Sequence, residues 1–158
     1  MASFKFKGLD EYVRTLEHLE SSIDLQLGEA IYKGADIVAN AVKEGLRSLP
    51  VDNRLKAEQK TSITEVQKQG LIESFGVARL QNDNGYRNVK LGFDGYNKVV
   101  TKKYPKGQPN VMIARTLESG TSFMQKNRVI SKATNNSKKA CEEAMAESLD
   151  KAIAKIMK

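Results

Sequence analysis

One histidine, His18, and one cysteine, Cys141, are the only side chains of their kinds in the 158 residues. A zinc site needs about four such ligands at close spacing, and His18 has no second His or nearby Cys to complete one. It falls between Glu17 and Leu19, toward the polar side of a helix, as a surface histidine. Cys141 excludes an intrachain disulfide and reads as a small apolar residue on the inward side of a C-terminal helix. The run L-Q-N-D-N-G (80–85) has a calcium-loop flavour. Aligning Gly85 with the required glycine puts Leu80 and Leu91 where carboxylates belong, so the run is better read as a turn. No G-x-x-x-x-G-K-[ST] phosphate loop and no nucleophile elbow is present. Glu142 and Glu143 are adjacent and point to different helix faces, which makes them a poor acid–base pair. The expectation is a protein that is not an enzyme, with no metal and no cofactor.

Two other stretches hold polar residues at suggestive spacing. VVTKKYPKGQPN sets Lys102, Lys103 and Lys106 around Tyr104, cations flanking an aromatic as in single-strand grips; a solvated Pro/Gly loop is the plainer reading. IARTLESGTSF places Glu118 at the end of a short helix, where the dipole disfavours a negative charge. Gly120 behind it suits the left-handed conformation that caps helix carbonyls.

The elements that would carry these residues follow from periodicity. Leu9, Tyr12, Val13, Leu16, Leu19 and Ile23 predict one helix. Leu27, Ala30, Ile31, Val38, Ala41, Val42 and Leu49 predict a second, from about Leu25 to Leu49, ended by Pro50. Gly34 and Gly45 lie on its stripe and suggest close approach of another element, and Glu29 with Lys33 makes an i,i+4 pair. Residues 51–66 show no period and read as a polar, mobile loop with Val51, Leu55, Ile63 and Val66 as its few anchors. A short helix over about Lys68–Ser74 leads into a β-hairpin turning at Asn84-Gly85. The expected register sets Ala78 opposite Leu91, Arg79 opposite Lys90, Leu80 opposite Val89 and Gln81 opposite Asn88. Asp94-Gly95 is another turn, Lys98–Tyr104 a third strand, and Asn110 the cap of a helix through Ser119. A basic loop, SFMQKNRVISK, precedes a final helix from about Ser137 to Met157. That helix turns Cys141, Met145, Leu149, Ala152, Ile153 and Ile156 inward and pairs Glu147 with Lys151.

The fold class is therefore α+β: N- and C-terminal helices packed on a small antiparallel sheet, with a long mobile loop. Residues 1–158 form one domain, long enough to bury a core unaided. The composition is 40% hydrophobic and 28% charged, with net charge +7, which permits a polyanionic partner. No apolar run reaches membrane-span length. MASFKFKGLD lacks the pattern of a secretory signal, so a protein made and kept soluble in a cytoplasm is expected.

The phrases GFDGYNKV, KKYPKGQPN and above all IARTLESGTSF make the chain resemble the tail-completion (head-to-tail joining) family of long-tailed bacteriophages. That family often has a short helix ending in Glu-x-Gly-Thr, here Glu118-Ser119-Gly120-Thr121, then a loop and a long C-terminal helix. The loop here, FMQKNRVISKA, lacks the family's usual proline. The N-terminal helices, the GLIES helix and the hairpin stand in the family's order, so the resemblance covers nearly the whole chain. It implies a non-enzymatic ring, commonly a hexamer, between the head connector and the tail tube or tail terminator. The protein would be made in the host bacterial cytoplasm and built into the virion neck or top of the tail, with transient contact to DNA in the channel and no membrane. A ring protomer needs a head-to-tail surface. The expected interface is Glu118, Gly120 and Thr121 meeting Lys126 or Arg128 of a neighbouring copy. The alternative is a small basic nucleic-acid-binding module.

Overall fold

The computed structural model describes residues 9–54 and 59–156. Helix α1 runs unbroken through Leu9–Arg47, where two helices are expected. Its apolar positions step Leu19, Ile23, Leu27, Ala30/Ile31 and Gly34 at intervals of three and four, so nothing in the pattern or the backbone breaks it. Leu25, the expected start of a second helix, is off the stripe and 72% exposed. α1 spans roughly 58 Å at 1.5 Å per residue. Helix α4, Val129–Ile156, begins eight residues before the expected start at Ser137, because Val129, Ile130 and Ala133 already supply an apolar face against the core.

α1 and α4 pack antiparallel. Gly34 faces Cys141 and Met145, and Gly45 faces Val129; a Cβ on Gly34 would lie 2.7 Å from Met145 Cγ and 2.9 Å from Cys141 Sγ. The expected close approach at these glycines is real, and Cys141 lies half-buried in it. Burial pushes the Cys141 thiol pKa up, with the Glu142 charge adding to the effect. Lys33 Nζ donates to Ser148 Oγ across the helix pair at 3.1 Å instead of forming the expected pair with Glu29. Glu147 and Lys151 do pair. Ile153, expected inward, is exposed.

The core lies beneath the C-terminal half of α1. Val42, Leu46 and Leu49 meet Leu71 and Phe75, then Ile113, Ala114 and Leu117, with Ile63 and Met124 from the connecting segments. Helix α2, Glu65–Ser74, starts three residues before the expected Lys68, at a capping box: Gln67 N donates to Thr64 Oγ1, and Thr64 N donates to Gln67 Oε1. Helix α3 is Asn110–Ser119.

Among the described residues, four short strands make two antiparallel pairs: β1 (Phe75–Val77) with β4 (Leu91–Phe93), and β2 (Gln81–Asp83) with β3 (Tyr86–Asn88). Asn84 at φ 53° and Gly85 at φ 90° form the predicted hairpin turn, both positive as a type I′ turn requires. Gln81 opposes Asn88 as expected. Farther down, the register shifts by one: Leu91 opposes Val77, not Ala78. Three residues on one side (78–80) then face two on the other (89–90), and the expected pairs Arg79–Lys90 and Leu80–Val89 are absent from the ladders. The cause is α1. Leu80 N donates to the Tyr32 hydroxyl at 2.8 Å, and Arg87 pairs with Asp24 at 2.6 Å, so the hairpin tip leans onto the helix and the extra residue takes up the bend. The Phe75 and Phe93 rings pack at 4.8 Å between centroids over the core.

Two further expectations change. Lys98–Tyr104 is not a strand. The segment folds on itself, with Thr101 and Tyr104 exchanging backbone hydrogen bonds and Gln108 N donating to Val99 O. Asn110 does not cap α3 with its side chain. It is the helix's first residue, buried, with Nδ2 donating to Asp94 O at 2.9 Å and Oδ1 accepting from Asn97 Nδ2 at 3.3 Å.

The described parts of 51–66 are anchored and not a free polar loop. Asp52, 5% exposed, accepts from Arg54 Nε at 2.8 Å and from Thr61 N at 2.9 Å. The Arg54 hydrogen bond, then the Thr61 backbone N–H, holds its carboxyl far below the usual aspartate range. Asp52 N donates to Ile63 O, and Lys60 pairs with the 123–125 segment through its N–H and carbonyl. Leu55 lies outside the described residues.

Candidate functional site

The Glu118–Thr121 motif is a compact device at the end of α3. Gly120, at φ 71°, donates its N–H to Thr116 O and ends the helix. A Cβ there would come within 3.0 Å of Lys126 N, so glycine is needed both for the backbone angle and for space. Thr121 and Met124 exchange backbone hydrogen bonds, and Thr121 Oγ1 accepts from Phe123 N at 3.2 Å and from Met124 N at 3.1 Å. Asn127 N then returns to Leu117 O at 2.8 Å. The chain makes a tight loop whose apolar Met124 plugs the core and whose Phe123 stands 74% exposed.

Glu118 explains its own position. Its carboxylate reaches past the loop to the first turn of α4, accepting from Ile130 N at 2.6 Å and from the N–H and hydroxyl of Ser131. A negative charge at the end of α3 is also a negative charge at the start of α4, where unpaired N–H groups and the dipole welcome it. α4 gains a cap from twelve residues upstream, and the Glu118 side chain is satisfied within its own chain. Lys126 and Arg128 are exposed, and neither makes an ion pair with Glu118 among the described residues. The structure thus brings Glu118, Gly120 and Thr121 into one unit and leaves the two cations on its rim.

At the other end of α3 lies a feature sequence reasoning missed. A cleft of about 470 Å³ opens between α2 and the 94–98 turn, lined by Glu65, Glu73, Asp94, Val66, Tyr96 and Lys98 among others. Its floor is set by the buried amides of Asn97 and Asn110; Asn97 Nδ2 also reaches Val66 O at 3.3 Å, and a Cβ on Gly70 would collide with it at 2.1 Å. No local signal marks this site, because Glu65 and Glu73 stand about two turns apart on α2, Asp94 comes from a separate turn, and each reads alone as a solvated charge.

In the 102–106 loop, Lys102, Lys103 and Lys106 are exposed. Lys103 Nζ sits 5.6 Å from the centroid of the Tyr104 ring, and the Tyr104 hydroxyl contacts Met112 Sδ at 3.3 Å. His18 is exposed. Among the described residues, no group of three or more His, Cys, Asp or Glu side chains could hold a metal ion, and no helix is long and apolar enough to cross a membrane.

No family model, no curated protein and no solved structure matches the chain.

Proposed function

We propose that this protein is a structural component of a phage virion, a ring that joins the head connector to the tail and catalyses no reaction. The observation that carries the reading is the Glu118–Thr121 unit. A glycine-capped helix end, a locked turn and a cap supplied to the next helix hold the 122–128 loop rigid at the surface, with Phe123, Lys126 and Arg128 projecting. A rigid exposed aromatic beside cations is the kind of group that anchors a protein interface, and it lies in the phrase that most resembles the joining family. The expected partners are copies of itself, the head connector and the tail tube or terminator.

The test is head–tail joining. Phage grown without this protein is expected to accumulate filled heads and finished tails apart, and adding the purified protein to the mixture should join them. Joined, infectious particles formed in its absence would sink the reading.

The competing reading, a nucleic-acid-binding module, rests on the exposed lysines around Tyr104. It is the weaker one on those residues, since Lys103 already covers the ring that a base would stack on. Tight DNA binding that falls steeply with salt, without effect on joining, would reverse that ranking.

A further inference from the structure

The two ends of α3 carry opposite charge. Its N-terminal end borders the cleft, where the exposed carboxylates of Glu65, Glu73 and Asp94 face one cation, Lys98. Val66 and Tyr96, 49% and 66% exposed, give the cleft apolar walls. Such an acidic, aromatic hollow stands out on a chain of net charge +7. The C-terminal end bears the 122–128 loop, with Phe123 exposed between its own backbone anchors and Lys126 and Arg128 nearby. α3 separates the two by roughly 15 Å, so within one copy they do not meet.

We propose that the 122–128 loop of one copy docks in the α2/94–98 cleft of the next. Phe123 packs against Val66 and Tyr96, and Lys126 and Arg128 lie over Glu65, Glu73 and Asp94. This rests on the assembly reading above and names the two halves of the contact. Each half supplies what the other lacks: an aromatic for an apolar-walled hollow, and cations for carboxylates. Both are already ordered. The loop is held by Gly120, Thr121 and the Lys60 backbone pairing, and the cleft by the Asn97–Asn110 amides, so little ordering entropy opposes docking. Because the faces differ, the contact is heterologous and propagates into a ring or a filament.

Sedimentation velocity on intact protein tests it with Glu73→Arg on the cleft and the pair Lys126→Glu/Arg128→Glu on the loop. Unchanged melting temperatures would show that the variants fold; Phe123→Ala, at an exposed side chain, gives a second loop variant that keeps the charges. Like charges across the contact should weaken self-association roughly a hundredfold in each charge variant. An equimolar mixture of the two should associate again, since the intact loop of one variant meets the intact cleft of the other and, across the remaining contact, the reversed charges attract. The proposal is overturned if that mixture stays monomeric, or if either variant alone assembles like wild type. In the latter case self-assembly stands and only the pairing is wrong. Wild-type protein that remains monomeric up to about 1 mM also overturns it, while leaving head–tail joining to be judged by its own assay.

Discussion

Glu118 shows how a single side chain can be placed against one local rule in order to satisfy another. Removing its carboxylate uncaps α4, and a lost helix cap costs about 0.5–2 kcal/mol. Glu118→Gln keeps one accepting oxygen but loses the charge and sets an amide NH2 against the Ser131 N–H, so it is expected to lower the melting temperature by a few degrees. Glu118→Lys should lower it further, because a cation would face the positive end of α4. The sequence alone suggests a harmless change in the protomer; differential scanning calorimetry of both variants decides, and equal melting temperatures would show that the cap contributes nothing. Gly120→Val should be worse than Glu118→Gln, since it combines a positive φ with a 3.0 Å approach to Lys126 N. At Asp52 the prediction concerns pH. Its folded-state pKa is depressed by Arg54 and Thr61, so its contribution is fully present above the unfolded value of about 4 and is lost as pH falls below it. Asp52→Asn should lower the urea midpoint at pH 7, and the gap to wild type should narrow steadily as the pH is lowered through 4 and beyond. A gap unchanged by pH would remove the ionised carboxylate from the account.

At the scale of elements, legibility followed locality. The Asn84-Gly85 turn and the tip register were readable because turn chemistry and alternation act within a few residues. The glycines of α1 were readable as close contacts because they interrupt an apolar stripe. The start of α4 was hidden by the basic residues around Val129 and Ile130, although Val129, Ala133, Ser137 and Cys141 step by four. The start of α2 was written in Thr64-x-x-Gln67, a capping signature that the polar run around it obscured. What no sequence pattern carried were the non-local choices: Glu118 reaching α4, Asp52 burying itself in a polar stretch, and the hairpin giving up one register to reach Tyr32. The helix contact makes its own prediction. Gly34→Ala gains helix propensity of about 1 kcal/mol, yet its methyl meets Met145 and Cys141. Gly34→Ala and Met145→Ala should each destabilise, and the double variant should lose less than their sum. Additive losses in chemical denaturation would mean that the two positions do not share the space.

Across the whole molecule, the longest helix is paired with the last one. Gly34 and Cys141, which lie against each other, stand about a hundred residues apart along the chain, and every other described element is inserted between α1 and α4. Closing so large a loop is entropically costly and tends to come late. On a ribosome adding about 5–20 residues per second, the apolar stripe of α1 waits several seconds for α4 to emerge. During that interval Ala30, Ala35 and Ala39, buried in the finished protein, are open to other nascent chains. The helix pair that holds the molecule together is thus also its most exposed moment during synthesis. A chain stopped before α4 should be captured by chaperones or aggregate, however well the α2–α3 layer and its strands have formed.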